Sequence, residues 1–130
     1  MEIIVKPLES KQEIPYDLLL LADPSKKFID EYIQRGRCYL AYYNDDIVGE
    51  FVLIHTHPQT IEIVNIAVKE EYQGKGIGKK LLIKAIEEAR QLKAKSIEIG
   101  TGNSSIHQLR LYQKCGFRIT GIDHDYFVRN

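Results

Sequence analysis

The chain is short of cysteine, has no net charge and contains no long apolar run, and each shortage excludes a class of protein. Its two cysteines, Cys38 and Cys115, lie far apart and form no CxxC pair. That excludes a disulfide-dense secreted scaffold and predicts reduced, buried thiols. Lys and Arg number 18, Asp and Glu also 18. With that balance no global field draws the protein to nucleic acid or an acidic membrane, and no basic–aromatic interleaving suggests a nucleic-acid groove. The longest apolar run, Leu18–Ala22, is far below the ~20 residues of a membrane span. The opening MEIIVKPLESKQEIP has no basic segment leading into an apolar one, so a soluble cytoplasmic protein without a signal peptide is expected.

What is present suits one mixed α/β domain over residues 1–130, 44% apolar, with neither repeats nor low-complexity segments. Ile3–Leu8 reads as a strand. Glu13 to about Arg35 reads as helix, split near Asp23-Pro24-Ser25, where Asp23 or Ser25 can cap the second piece, and Gly36 closes it. Cys38–Tyr43 and Ile47–His55 form a hairpin around Asn44-Asp45-Asp46, and Pro58-Gln59 turns the chain into Thr60–Val68.

The segment IEIVNIAV, Ile61–Val68, is apolar on both faces except for Glu62 and Asn65, as in a strand inside a covered sheet. A period of two puts Glu62, Val64, Ile66 and Val68 on one side. From Gly76 the apolar spacing is helical, with a stripe of Ile77, Leu81, Ala85, Ala89 and Leu92. Ser96–Ile99 is a short strand, Gly100–Ser105 a polar loop, and Ile106–Cys115 a helix capped by Gly116. Phe117–Val128 reads as one strand broken near Gly121. A strand–helix–strand unit must be parallel and right-handed, and its site should lie at the carboxyl ends of the parallel pair.

The link between that strand and that helix, VKEEYQGKGIGKKLL, carries most of the information. Gly74, Gly76 and Gly78 alternate where the helix begins, allowing positive φ and close approach of a ligand to the backbone. The first helical N–H groups are unpaired and partly positive, and Lys75 and Lys79 add charge, so the loop can cradle a phosphate or diphosphate. Two common phosphate loops are excluded. A P-loop would need glycine where Gln73 stands and Ser or Thr where Lys80 stands. A dinucleotide fingerprint would need glycine at Lys79 or at Leu81.

Gln73-Gly74-Lys75-Gly76-Ile77-Gly78 instead resembles the Q/R-x-x-G-x-G/A loop of the GNAT superfamily, the Gcn5-related N-acetyltransferases. Downstream, Leu111–Phe117, LYQKCGF, resembles that family's LYxKxGF signature, and the element order from Cys38 onward is similar too. The resemblance implies a mixed sheet of about six strands flanked by about four helices. The family sheet ends in a seventh strand, for which the chain, stopping at Asn130, leaves no apparent room. Either the chain is truncated relative to its relatives or a second copy covers the exposed edge, and for the latter case a homodimer is expected.

The same resemblance implies an enzyme that uses acetyl-CoA as cosubstrate, without a metal, to acetylate a primary amine of a small molecule or protein by direct attack. Gln73, Gly74, Lys75, Gly76, Ile77, Gly78 and Lys79 would hold the diphosphate. Ile66, Ala67 and Val68 would pair with the pantetheine arm as an added strand, and a backbone N–H there would polarise the thioester carbonyl. Tyr112 would protonate the leaving thiolate, phenol and thiol having similar pKa values. Glu62 in EIVNIAV, or ordered water, would take the ammonium proton, and partial burial would raise the Glu62 pKa toward a useful value. Asn103 or Ser105 would contact the pantetheine arm; the family's asparagine falls seven residues before the tyrosine, at Ser105, while Asn103 stands two residues earlier.

His55 and His57 share a strand but show no third ligand, and His107 and His124 read as surface residues. A different class, a non-catalytic acyl-CoA-binding sensor or subunit, would keep the loop without needing Tyr112. No motif identifies the amine acceptor. Leu18–Arg35 and the turn at His55–Thr60 would shape its site, and Asp17, Asp23, Asp30 and Glu31 could attract a cation.

Overall fold

The computed structural model describes residues 2–100 together with the backbone of 118–122 and 126–129. The chain runs β1 (Ile4–Pro7), α1 (Tyr16–Ala22), α2 (Lys26–Arg35), β2 (Arg37–Tyr43), β3 (Asp46–His57), β4 (Thr60–Val68), a single 3-10 turn (Glu70–Tyr72), α3 (Ile77–Gln91), β5 (Ser96–Gly100), β6 (Arg118–Ile122) and β7 (Tyr126–Arg129). One seven-stranded sheet has the order β1-β2-β3-β4-β5-β7-β6, antiparallel throughout except where β4 meets β5. The expected mixed α/β architecture is what forms. The helix expected over Ile106–Cys115 lies outside the described residues, as does the polar loop after Gly100.

The tail departs from the sequence reading. The stretch taken for one strand broken near Gly121 is two strands, and the seventh strand is present. One strand ends at Ile122 and the other begins at Tyr126, while Gly121 marks only a pairing irregularity within β6. Since β7 inserts between β5 and β6, with Ile99 opposite Val128, it covers the edge of β5. The open-edge reason for expecting a second copy is thereby removed.

Each face of the sheet carries its own apolar cluster. On one face α3 buries Ile77, Leu81, Leu82, Ala85, Ile86 and Ala89. This stripe packs on Tyr39, Phe51, Leu53, Ile61, Ile63, Ile97 and Ile99. On the other face Leu19 of α1 and Ile29 and Tyr32 of α2 cover Cys38, Leu40, Val52 and Ile54. Ser25 caps α2, its Oγ accepting from Phe28 N at 3.2 Å. Asp23 stabilises the preceding turn, its Oδ1 accepting from Ser25 N at 3.0 Å.

A bulge in β4 overturns the period-two reading of that strand. Val52 opposes Asn65 and Leu53 opposes Ile63, so Val64 is an extra residue. Beyond it the faces exchange. Val64 and Asn65 both lie toward α1 and α2, whereas Ile66 and Val68 pack on the α3 side with Ile61 and Ile63. Glu62 and Val68 therefore sit on opposite faces.

Leu81, fully buried under the sheet, is central to the α3 cluster. Leu81→Ala should lower stability by about 2–5 kcal/mol, the usual effect of a large buried truncation. Urea denaturation measures it, and a loss below the error of the method would mean that α3 does not pack as described.

Candidate functional site

The distinctive feature of the sheet is where β4 and β5 part. Their parallel pairing covers only Thr60–Ile63 against Ser96–Ile99. From Asn65 to Val68, β4 pairs with β3 alone among the described residues. Lys69 N donates to Val48 O at 2.8 Å, toward β3. Alternation of backbone N–H groups then points those of Ile66 and Val68 the other way, into the gap. Among the described residues the strand therefore presents a short free edge at its carboxyl end, composed of the expected residues Ile66, Ala67 and Val68.

The glycine-rich loop lies at the mouth of this gap. Gln73 Nε2 donates to Val68 O at 3.0 Å, tying the loop to the end of β4. Gly74 and Gly76 have φ of 79° and 82°, and a Cβ built on either would meet nothing within 4 Å. Glycine is required here by conformation, and the space beside the loop stays open. Gln73, Gly74, Lys75 and Gly76 are exposed; Ile77 alone turns inward as the first anchor of α3.

Gly76 caps α3 without any side-chain hydrogen bond, and the first turn holds no acidic residue. Lys79 and Lys80 stand in that turn instead. For an isolated helix this is the wrong charge, since the N-terminus is already partly positive. Uncapped N–H groups with nearby lysines are the arrangement that binds an anion such as a diphosphate.

The α1–α2 face of the sheet carries a group of polar side chains, of which sequence reasoning missed Glu50. Glu62 is half-buried there. Asn65, 2% exposed, donates from Nδ2 to Leu19 O at 3.0 Å and to Tyr32 Oη at 2.8 Å. Tyr32 donates in turn to Asp23 Oδ2 at 3.1 Å. Glu50 of β3, opposite Leu40 on one side and Ala67 on the other, is wholly buried. Burial holds its carboxyl well above the usual carboxylate range. Burial, with the charge of Glu50, pushes the Cys38 thiol up to about 12, so Cys38 is an inert, free, buried thiol. A glutamate in the middle of IVGEFVLI was the available signal, but without the neighbouring strands it reads as one more alternating polar position.

Tyr112, Asn103 and Ser105 lie outside the described residues. His55 and His57 are exposed. No group of three potential metal ligands occurs among the described residues, and none of their helices is long and apolar enough to cross a membrane.

Comparison with known proteins bears on this geometry. Residues 5–117 match the model of the acetyltransferase (GNAT) family. The chain is 64% identical over 122 residues to the uncharacterized N-acetyltransferase YvbK of Bacillus subtilis, spanning 94% of this chain and 78% of that one. It is 36% identical over 89 residues to the spermine/spermidine N(1)-acetyltransferase of the same organism, spanning 62% of this chain and 58% of that one. A GNAT family acetyltransferase from Elizabethkingia anophelis, solved with acetyl-CoA bound, superposes with a TM-score of 0.92 at 43% identity, covering 98% of this chain and 96% of that one.

Gly76→Ala forces a side chain into the left-handed region with no steric relief to gain. It should cost about 1–2 kcal/mol of stability. Denaturant midpoints measure this, and an unchanged midpoint would show that residue 76 does not hold a positive φ.

Proposed function

The chain belongs to the acetyltransferase (GNAT) family, and from that premise we propose that it transfers the acetyl group of acetyl-CoA to a primary amine of a small molecule or protein. The nitrogen attacks directly, with no covalent enzyme intermediate. One observation carries this reading: the uncapped, glycine-opened start of α3 stands beside the free edge of β4. A diphosphate needs the first and an extended pantetheine arm needs the second. The acetyl-CoA bound in the Elizabethkingia anophelis structure supports the cofactor, and the spermine/spermidine relative supports an amine acceptor.

In this reading Gln73 to Lys79 hold the diphosphate, Gln73 also fixing the loop to Val68. Ile66, Ala67 and Val68 pair with the pantetheine arm, which Asn103 or Ser105 contacts farther on. The Val68 N–H polarises the thioester carbonyl as negative charge develops on its oxygen. Glu62 takes the proton of the acceptor ammonium, directly or through water, and the freed lone pair attacks the carbonyl carbon. The carbon–sulfur bond then breaks, Tyr112 gives its phenolic proton to the departing thiolate, and the second proton of the nitrogen, lost as the amide forms, returns to the phenolate through solvent. The whole of residues 1–130 acts as this one domain, in the cytoplasm, in keeping with the free thiol of Cys38.

Isothermal calorimetry with acetyl-CoA, followed by thiol-release assays on a panel of amines, tests the proposal. Binding with turnover is expected, while binding without turnover on any amine would favour a cofactor sensor. Tyr112→Phe should lower turnover by roughly ten- to a thousandfold with cofactor binding intact. Unchanged turnover would remove Tyr112 from the mechanism.

A further inference from the structure

The buried face between β3, β4 and α2 has too few hydrogen-bond donors. Both carboxyl oxygens of Glu50 and the Oδ1 of Asn65 are buried without a partner among the described residues. The donors beside them are committed. Asn65 Nδ2 is used by Leu19 O and Tyr32 Oη, and the single Tyr32 proton goes to Asp23. Cys38, close enough for its thiol to feel the Glu50 charge, offers only a weak S–H donor. Three orphaned acceptors on one face are destabilising, since each forfeits its hydration. An arrangement of this kind calls for an explanation outside the fold.

The register places these groups next to the reaction. Glu50 opposes Ala67, in the middle of the free edge of β4, and Asn65 directly follows the bulge. They share the α1–α2 face, two positions apart along the ladder. The hydrogen-bond chain from Asn65 through Tyr32 ends at Asp23, half-buried at the α1–α2 junction, which gives the cluster an outer, acidic end.

An ammonium group supplies what is missing: three N–H donors for three acceptors, with a positive charge for a buried carboxylate. A hydroxyl supplies one donor and no charge. The nitrogen that attacks a thioester must be neutral, so a site that stabilises ammonium suits a different nitrogen of the same molecule. We infer that Glu50 and Asn65 form a subsite for a second, non-reacting ammonium of a diamine or polyamine acceptor. This rests on the acetyltransferase reading above and narrows its substrate class. Glu50 is closed from solvent, so occupation of the subsite requires the α1–α2 layer that covers it to move aside. The competing arrangement is internal, with Glu50 keeping its own proton and donating it to Asn65 Oδ1.

Three acceptors separate the two: butylamine, 1,4-diaminobutane and spermidine, tested on the full chain at saturating acetyl-CoA. The wild type should prefer the two polyvalent amines over butylamine in kcat/KM. Glu50→Gln and Glu50→Met should each raise KM for those two by about ten- to a hundredfold, the loss of a charged hydrogen bond, and leave butylamine and the acetyl-CoA Kd unchanged. The Met variant should melt no lower than wild type, because an unpaired buried carboxyl gives way to an apolar group of similar size. It therefore decides the matter even if the Gln variant folds poorly. Calorimetric titration of 1,4-diaminobutane into the CoA-loaded protein gives a readout independent of turnover. A protein that turns over no amine, yet binds the diamine through Glu50, would sink the transferase reading and keep the subsite. The inference is overturned if wild type and both variants show the same preference among the three amines and the same diamine affinity.

Discussion

Parallel pairing between β4 and β5 stops after Ile63, and what the rest of the site offers depends on that break. A parallel ladder uses one edge of each strand completely, so a fully paired β4 would have no backbone groups left for a ligand. The bulge at Val64 coincides with the break. An extra residue in one strand bends it and increases its local twist, turning the last residues of β4 away from the line of β5. A single inserted residue thus exchanges the two faces of the strand at the point where its described pairing with β5 ends.

The start of α3 is fixed by a second constraint. Six buried apolar side chains hold the helix against the sheet, each contributing about 1–3 kcal/mol of burial. That packing keeps the N-terminus in place even though its electrostatics are unfavourable, with lysines instead of acids in the first turn and no side-chain cap. Gly74 and Gly76 are left-handed, and a Cβ built on either meets nothing within 4 Å, so the turn before the helix stays exposed among the described residues. A well-packed helix can therefore carry an unsatisfied end, and an anion is the ligand that end suits best.

On the opposite face the same economy is reversed, with polar groups inside and their partners absent. Asn65 links β4 to the end of α1 and to Tyr32, so the α1–α2 layer is registered against the strand by directional bonds as well as by Leu19 and Ile29. Glu50 contributes nothing of that kind: its carboxyl has no partner, and an apolar residue would fit the fold better. Groups that lower stability without supporting the structure tend to belong to sites.

Much of this was legible in the chain itself. The strand-loop-helix unit, its left-handed glycines and the stripe of α3 follow from local periodicity and from glycine spacing, which are properties of neighbouring residues. The hairpin of β2 and β3 and the cap at Ser25 were readable for the same reason. Three things were not. Gly121 looked like a strand break, but only pairing with β5 shows that the tail is two strands with the second inserted. The bulge at Val64 leaves no mark in an apolar run, because an extra residue exists only relative to the strand opposite. Glu50 and Asn65 looked like ordinary exceptions in two strands, since a missing hydrogen-bond partner is a property of everything that surrounds a group. Local sequence decided which elements form and what the loop can bind, because those depend on dihedral freedom and side-chain spacing; register, and the burial of charge that comes with it, was decided only when distant strands met.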